Sequence, residues 1–446
     1  MKIISFYTAK RYNKSYNVAM KSAEYDVTII GGGVAGCASA YTAAKFGLKA
    51  LIVEKNNYLG GLASGGLVVP AMKSENKNLN TNFFKSLVKN AKKIGAQITY
   101  CDENQGWFNP IKLKIVLEDM LSEAGANILY ESTPKNFFFE NEKDMKKSIS
   151  CVEISNKILS LSCASKYFVD ATGDGNFSKI LSCEFWSDES QKQPASLRFI
   201  LSNVNLDEFR DFILKLDGNR EVTTACDVDN QPHFSTAYTW DKSKKWALEP
   251  LFEKALSENV LKPSDCAYFQ IFTIAGMPSS VAFNCPRVFQ DDYDNPFSLS
   301  RGLIEARQAI LRLTNFCQTY LKGFEKAEIT NIADLTGYRE SGRVKCLYDY
   351  SVEDMLNEKK FENPAVFSDY PIDIHSNQKD DSTLKHVAPY MLPVESLISK
   401  NYTNLYIVGR CLGADFKSQA ALRVQPNCMA MGEAAVKDMI KKLGAR

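Results

Sequence analysis

The feature that most constrains the fold is a glycine turn, Gly31-x-Gly33-x-x-Gly36, set between two segments of opposite character. Before it, residues 26–30 (Asp-Val-Thr-Ile-Ile) are mostly β-branched, which predicts a buried strand. After it, Cys37, Ala38, Ala40, Tyr41, Ala43 and Ala44 predict a helix that Gly47 closes. A second strand over residues 49–53 ends at Glu54. Strand, helix and strand in that order open a parallel, doubly wound sheet. The glycines have separate tasks in such a unit. Gly31 permits the turn out of the strand, Gly33 lets a pyrophosphate approach the backbone, and Gly36 lets helix and strand pack closely. Val34 and Ala35 stand at the helix N-terminus, where N–H groups outside the helical ladder and a partial positive charge favour an anion.

Two further features narrow the dinucleotide. Glu54 lies about twenty residues past the turn, followed by Lys55; a carboxylate there accepts hydrogen bonds from ribose hydroxyls and repels a 2′-phosphate. FAD or NAD is therefore expected rather than NADP. Next, Gly60, Gly61, Leu62, Ala63, Ser64, Gly65 and Gly66 form a loop rich in accessible amides and poor in bulk. It suits a diphosphate and a flat ring, which points to FAD. Residues 171–175 (Ala-Thr-Gly-Asp-Gly) lack a third glycine and a following helix of small residues, so one dinucleotide site is expected.

A chain of 446 residues exceeds what one hydrophobic core usually supports. The expected fold class is α/β: a discontinuous Rossmann-like FAD-binding domain, residues 24–185 and 390–446, around an inserted α+β substrate domain, residues 186–389. A basic N-terminal extension, residues 1–23, precedes them. It holds Lys2, Lys10, Arg11, Lys14 and Lys21, no acid, and too few apolar residues for a secretory signal. The net charge of +2 gives no footprint for nucleic acid or an anionic membrane. No apolar stretch approaches the roughly 20 residues of a membrane span. Twelve cysteines without a Cys-x-x-Cys pair suggest reduced thiols in the cytoplasm and argue against a dithiol redox centre. No His/Cys cluster has ligand-like spacing, so no metal is expected. The expected partner is a small-molecule substrate, and a homo-oligomer is left open.

Within these domains, Leu113, Val116, Leu117, Met120 and Leu121 share one face of a helix predicted over 111–124. A strand follows over 128–130, then a hairpin of 150–155 and 157–163 about Asn156, then a strand over 167–170. Alternation over 195–201 and 268–274 predicts antiparallel strands. Helices are expected over 299–321 and 351–357, a loop over 363–385, a strand over 405–409 and a last helix over 426–442.

Residues 27–55, 60–66, 170–175 and 404–435 together resemble the FAD-dependent oxidoreductase family of the glutathione-reductase-like flavoprotein fold. Three further segments are similar to more family-specific patterns: Gly337-Tyr338-Arg339-Glu340-Ser341-Gly342-Arg343, Tyr370-Pro371-Ile372-Asp373-Ile374-His375, and the block from Val408-Gly409-Arg410-Cys411 to Ala435. The likeness implies that Ala171, Thr172, Gly173, Gly409 and Arg410 border the cofactor. It also implies that the amides of Asn427, Cys428 and Met429, after Pro426, face flavin N1 and O2, where reduction places negative charge. One departure concerns adenine. Its usual backbone partners fall here on Thr133 and Pro134, and proline has no N–H; a register shifted by one is expected.

A flavin dehydrogenation needs an oriented substrate and a base for its proton. The only histidines are His233, His375 and His386. His375 is the candidate base; the competing reading is that Asp373 and His375 pin a loop. His233 and His386 are expected to face solvent. Arg339, Arg343 and Arg423 are candidates to grip an anionic substrate or the reduced flavin, with Glu340 a rival ion-pair partner for Arg339. Cys428 reads as a small buried residue. The expected reaction is hydride transfer from a small molecule to flavin N5, by a dehydrogenase or oxidase. The alternatives are a monooxygenase or reductase fed by NAD(P)H, and a non-catalytic flavin-binding or electron-transfer subunit.

Overall fold

In the computed structural model, the strand before the glycine turn, β1 (Lys21–Ile30), reaches back into the expected extension. The structure describes residues 9–11, 14–16, 21–74, 79–141, 147–187, 192–217, 222–238, 246–292, 295–376 and 383–444. The remainder of residues 1–23 lies outside the described residues. After the turn come α1 (Val34–Lys45), β2 (Ala50–Val53), α2 (Asn82–Lys93), α3 (Pro110–Ala124) and β3 (Asn127–Leu129). The five apolar positions read on α3 are all buried. Its ends are set by sequence: Asn109 accepts the N–H groups of Ile111 and Lys112, Pro110 opens the helix, and Gly125 closes it at φ 93°.

Three strands follow: β4 (Thr133–Asn141), β5 (Lys147–Ser155) and β6 (Ser160–Asp170). The order β3-β2-β1-β6 is parallel throughout, which explains why residues 27–30 of β1 and all of β2 are buried on both faces. β5 and β6 form the expected hairpin, but its turn takes residues 156–159. Asn156 Oδ1 accepts the N–H groups of Ile158 and Leu159 at 2.9 and 2.8 Å, and this side-chain bonding replaces the start of the second strand. β6 then runs unbroken to Asp170, so the two segments expected at 157–163 and 167–170 are one strand.

A six-stranded antiparallel sheet contains β7 (Phe199–Ser202), β8 (Thr223–Val228), β9 (Gln231–Ala237), β10 (Gln270–Ile274), β11 (Met277–Phe283) and β12 (Glu328–Ile332), in the order β8-β9-β10-β11-β7-β12. A long helix, Pro296–Tyr320, lies in the same stretch of chain. Residues 363–385 differ from the expected loop. They include strands Pro364–Ser368, Ile372–Ile374 and Thr383–Lys385; the first pairs with Tyr390–Pro393 and the other two with each other.

The chain then returns to the parallel sheet. β13 (Leu405–Ile407) pairs with Phe168–Asp170 on the edge that β6 presents to β5 lower down. The last helix, α4 (Gln425–Leu443), packs on α1 so closely that a Cβ at Gly432 would lie 2.2 Å from the Ala35 carbonyl oxygen. The first helix and the last therefore meet beside the glycine turn. Among the described residues, no helix is long and apolar enough to cross a membrane.

Candidate functional site

A cavity of about 550 Å³ opens over the carboxyl ends of β1, β2 and β6. Its floor is the glycine turn. Gly31 sits at φ 109°, and a Cβ there would lie 2.4 Å from the Ala171 carbonyl oxygen, so only glycine lets β1 end against β6. Gly33 is the N-cap of α1, without a side-chain cap and without an acid in the first turn. The first helical bond is Cys37 N–H to the Gly33 carbonyl at 2.9 Å, so the amides of Val34, Ala35 and Gly36 precede the ladder. A Cβ at Gly33 would meet nothing within 4 Å. That open volume, beside uncapped amides, is a cradle that a phosphate fills and a side chain would block. Gly33, Val34 and Ala35 line it; Gly36 is instead the packing glycine, with Gly31 O 2.0 Å from where its Cβ would be.

Gly60, Gly61, Leu62 and Ala63 fold over this floor and line the same cavity. Gly60 N–H bonds the Gly32 carbonyl at 2.8 Å, and both Gly60 and Gly61 have positive φ. Glu54 is buried, and its Oε2 accepts Gly32 N–H at 2.6 Å. Its Oε1 accepts from Asn56 twice, through backbone N–H at 2.8 Å and Nδ2 at 2.6 Å. Glu54 therefore braces the turn and keeps one Oε2 lone pair for a ribose hydroxyl. Lys55, Thr133 and Pro134 line the adjoining wall, beside Ser132, whose N–H is taken by the Glu54 carbonyl at 3.0 Å. The ladder shifts register just past Pro134.

Across from them stand Ala171, Thr172 and Gly173. Asp170, fully buried, shapes this turn by accepting from Thr172 at one oxygen and Ser178 at the other. Gly409 and Arg410 continue the wall. Arg410 bonds Asp174 at 3.0 Å and the Tyr338 carbonyl at 2.8 Å. Burial opposes ionisation of Asp174, but Arg410 and the Ser341 hydroxyl outweigh it and hold the carboxyl below its usual range.

The far end is cationic. Arg198, Arg339 and Arg423 line it, with Ser196 and Asn284. Arg339 donates to the Pro194 carbonyl and to Ser196 Oγ, and Arg423 to the carbonyl and carboxylate of Asp373 at 3.0 and 3.3 Å. Behind them, buried Arg287 donates to Ser196 Oγ at 3.1 Å and to His375 Nδ1 at 2.9 Å. With Nδ1 accepting, network logic puts the His375 proton on Nε2, 3.3 Å from Asp373. Burial, with Arg339 nearby, pushes the His375 pKa well below the usual value. Burial opposes the Asp373 charge, yet His375 and Arg423 hold that carboxyl well below the usual carboxylate range.

Several expected positions differ. His375 is buried and does not line the cavity, and both ring nitrogens are engaged, Nδ1 by Arg287 and Nε2 by Asp373. Arg343 pairs with Glu340 at 3.3 Å and bonds the Ala414 carbonyl, so Glu340 is not the partner of Arg339. His233 is not solvent-facing: it is buried edge-on to Trp107 and bonded to Thr273 Oγ1 at 3.0 Å; His386 is exposed. Asn427 and Met429 are buried outside the cavity lining, Asn427 being bonded to Ser74 and Ser368. α4 begins one residue earlier than expected, and Cys428 N–H closes on the Val424 carbonyl at 3.0 Å. The amides of Cys428 and Met429 are thus inside the helical ladder, and Gln425 faces the cavity in their place. Cys428 does line it, its thiol pushed up to about 12 by burial. Arg198, Arg287 and Asn284 carried no sequence signal, because each sits alone in a strand-like stretch far from any motif.

A model of the FAD dependent oxidoreductase family matches residues 26–436. The digeranylgeranylglycerophospholipid reductase of Methanococcus vannielii is 36% identical over 67 residues, which cover 15% of this chain and 17% of that protein. The chain thus spans under a fifth of the length of the curated relative it matches. Among solved structures, a geranylgeranyl bacteriochlorophyll reductase-like protein from Thermoplasma acidophilum is 15% identical, with 95% of this chain and 79% of that one covered and a TM-score of 0.47. The p-nitrophenol 4-monooxygenase PnpA from Pseudomonas putida is 10% identical, with 96% and 82% covered and a TM-score of 0.49. The family match takes in every residue that lines the cavity, and the open cradle at Gly33 fits the cofactor the family uses. The chain belongs to the FAD-dependent oxidoreductase family, and FAD is its cofactor.

Proposed function

We propose that the protein is a dehydrogenase or oxidase of a small molecule bound at the arginine-rich end of the cavity. The observation that carries this reading is continuity: one cavity joins the glycine cradle to Ser196, Arg198, Asn284, Arg339 and Arg423. A small molecule at that end lies in line with a dinucleotide whose phosphates rest on α1. Bound FAD supplies the acceptor, taking a hydride at N5. The chain binds and orients. Gly33 and the Gly60–Ala63 loop hold the diphosphate, Glu54 the ribose, and Gln425 and Cys428 bring the start of α4 to the cavity.

Residues 24–185 with 390–446 are read as the FAD-binding domain and 186–389 as the substrate domain. The antiparallel sheet lies wholly within 186–389, which supports this division. The strand order with the β4–β6 antiparallel extension supports a glutathione-reductase-like arrangement, and cysteines that form no disulfide among the described residues support a reducing, cytoplasmic setting.

The test is an anaerobic screen of metabolites against the yellow holoprotein, read as bleaching of the visible flavin band. A metabolite that bleaches it within seconds supports the proposal. Rapid bleaching by NADH, with no response to the library, replaces it with an NAD(P)H-fed reductase or monooxygenase. Failure of every donor and of photoreduction to give a stable reduced flavin leaves a non-catalytic flavin-binding protein.

A further inference from the structure

Four arginines from separate parts of the chain converge at the far end of the cavity. Arg198, Arg339 and Arg423 line it and Arg287 backs them. Arg287 and Arg339 are 2% and 6% exposed, and the Arg423 side chain 13%. Among the described residues, the only carboxylate within ion-pair distance of the group is Asp373. His375 adds no negative charge, being neutral, and neither does Tyr268, whose hydroxyl burial pushes up to about 12 while Arg287 stacks 4.5 Å from its ring centre. Burial lowers Arg198 and Arg287 to about 10, and burial with the neighbouring arginines lowers Arg339 as well, but the delocalised guanidinium keeps its proton at neutral pH. The site therefore holds four guanidinium charges against one carboxylate, in a place where water screens them poorly. Unpaired buried cations are costly, and a fold keeps such a group where a ligand supplies the counter-charge.

Donor capacity points the same way. Arg423 Nε is buried and without a hydrogen-bond partner. Arg198 donates through Nη1 to the Leu67 and Val69 carbonyls, at 3.3 and 3.2 Å, and among the described residues nothing accepts from its Nε or Nη2. Asn284, also in the lining and 7% exposed, gives Nδ2 to Gln270 at 3.0 Å and keeps Oδ1 buried and unpaired. The end wall thus presents several fixed donors of positive charge and one unused acceptor.

We propose that the substrate is a small organic anion, whose carboxylate or phosphate group is held by Arg198, Arg339 and Arg423, and that Asn284 Oδ1 accepts a hydrogen from a neighbouring hydroxyl or amine of the same molecule. Arg287 and His375 are positioning residues that hold Ser196 and Asp373 in place. The word substrate rests on the proposed dehydrogenase or oxidase reading; the anion site does not.

The experiment titrates the FAD-bound protein with malonate and with glycerol 2-phosphate, reading the flavin difference spectrum, with sodium chloride at matched ionic strength and glycerol as controls. A saturable change with either anion and not with the controls is expected, and the anion that binds tells carboxylate from phosphate. Arg423→Gln weakens that binding about 10- to 100-fold, the loss of one charge-assisted contact, and Arg423→Lys restores part of it. Flavin content of each variant reports its fold, and the wild-type titration stands without them. No response beyond the chloride control overturns the proposal. So does unchanged anion binding in Arg423→Gln and Arg339→Gln alongside a shifted flavin potential, which would give the charges to the reduced flavin. Anion binding without turnover of any metabolite leaves the site standing and the dehydrogenase reading failed. Bleaching by a neutral metabolite that no anion inhibits does the reverse.

Discussion

Replacing Gly33 by alanine separates cofactor binding from folding, because the structure gives the three motif glycines different surroundings. Gly33 has φ −67° and ψ 175°, which any residue adopts, and its added Cβ would meet nothing within 4 Å. Alanine is a worse N-cap than glycine by about 1 kcal/mol, and it stiffens the unfolded chain by about 0.4–1 kcal/mol in the opposite sense. The two nearly cancel, so the FAD-free protein keeps its melting temperature within about 2 °C. The same methyl stands where the phosphate must approach the α1 amides. Loss of roughly two charge-assisted N–H contacts, at about 1.5–3 kcal/mol each, amounts to about 3–6 kcal/mol. FAD affinity then falls by roughly 100- to 10,000-fold. Gly36→Ala is the converse. Its Cβ would lie 2.0 Å from Gly31 O and 3.1 Å from the Ala171 Cβ, so α1 must move off the sheet, at a cost of about 1–3 kcal/mol in the FAD-free protein. Urea unfolding without FAD, beside FAD titration followed by quenching of protein fluorescence, measures both quantities in both variants. Wild-type-like FAD affinity in Gly33→Ala, within threefold, would refute the cradle; an unperturbed Gly36→Ala would refute the packing argument.

Asp174→Asn removes the ion pair that ties residues 171–175 to Arg410. Because the Asp174 pKa is depressed in the folded state, its contribution is present above the unfolded value of about 3.9 and is lost as pH falls through the folded one. The variant is expected to lose roughly 1–2 kcal/mol at pH 7, and the difference from wild type shrinks only below about pH 4, compared by urea unfolding. Asp373→Asn leaves the arginine group without a carboxylate and is expected to cost about 3–5 kcal/mol, with added malonate restoring melting temperature more than it does in the wild type. His375 has a folded pKa below its unfolded value of about 6.5, so its stability contribution is complete above that pH and declines below it. Across pH 6.5–8 the ring stays neutral. The kcat/KM profile of the bleaching donor should therefore be flat there, and His375→Gln should raise KM without adding a limb; a histidine limb that vanishes in this variant would return His375 to the role of base.

The contiguous parts of this molecule were legible because each is dictated by neighbours in sequence. A turn of φ 109° at Gly31 needs glycine, and the Leu113-to-Leu121 stripe repeats at helical spacing, so β1, α1 and α3 could be read from local chemistry. α4 starts one residue before the position its sequence suggests, because Val424 caps it with no polar side chain, and Pro426, which favours a first turn, is the second residue of the helix. The strand Pro364–Ser368 leaves little local signal, because its five residues gain their pairing from a distant partner at Tyr390–Pro393. His233 follows the same rule: a histidine between Pro232 and Phe234 looks exposed until β10 brings Thr273 to its Nδ1.

The arginine group is the extreme of that pattern. Arg198, Arg287, Arg339 and Arg423 lie on four segments; the family-like motifs mark Arg339 and Arg423, whereas nothing in the residues around Arg198 or Arg287 distinguishes either from a surface arginine satisfied by a nearby acid. Glu340 next to Arg339 even supplies such an acid, and the fold gives it to Arg343 instead. What turns the four into a site is topology. The antiparallel sheet delivers Arg198 at the head of β7 and Arg287 just past β11. The return of the chain to the parallel sheet brings Arg339 and Arg423 to the same end of the cavity. Cofactor binding is thus written in one continuous motif because the dinucleotide needs backbone amides in a single turn. Recognition of the substrate is written across more than two hundred residues because it needs side-chain charge from several directions at once.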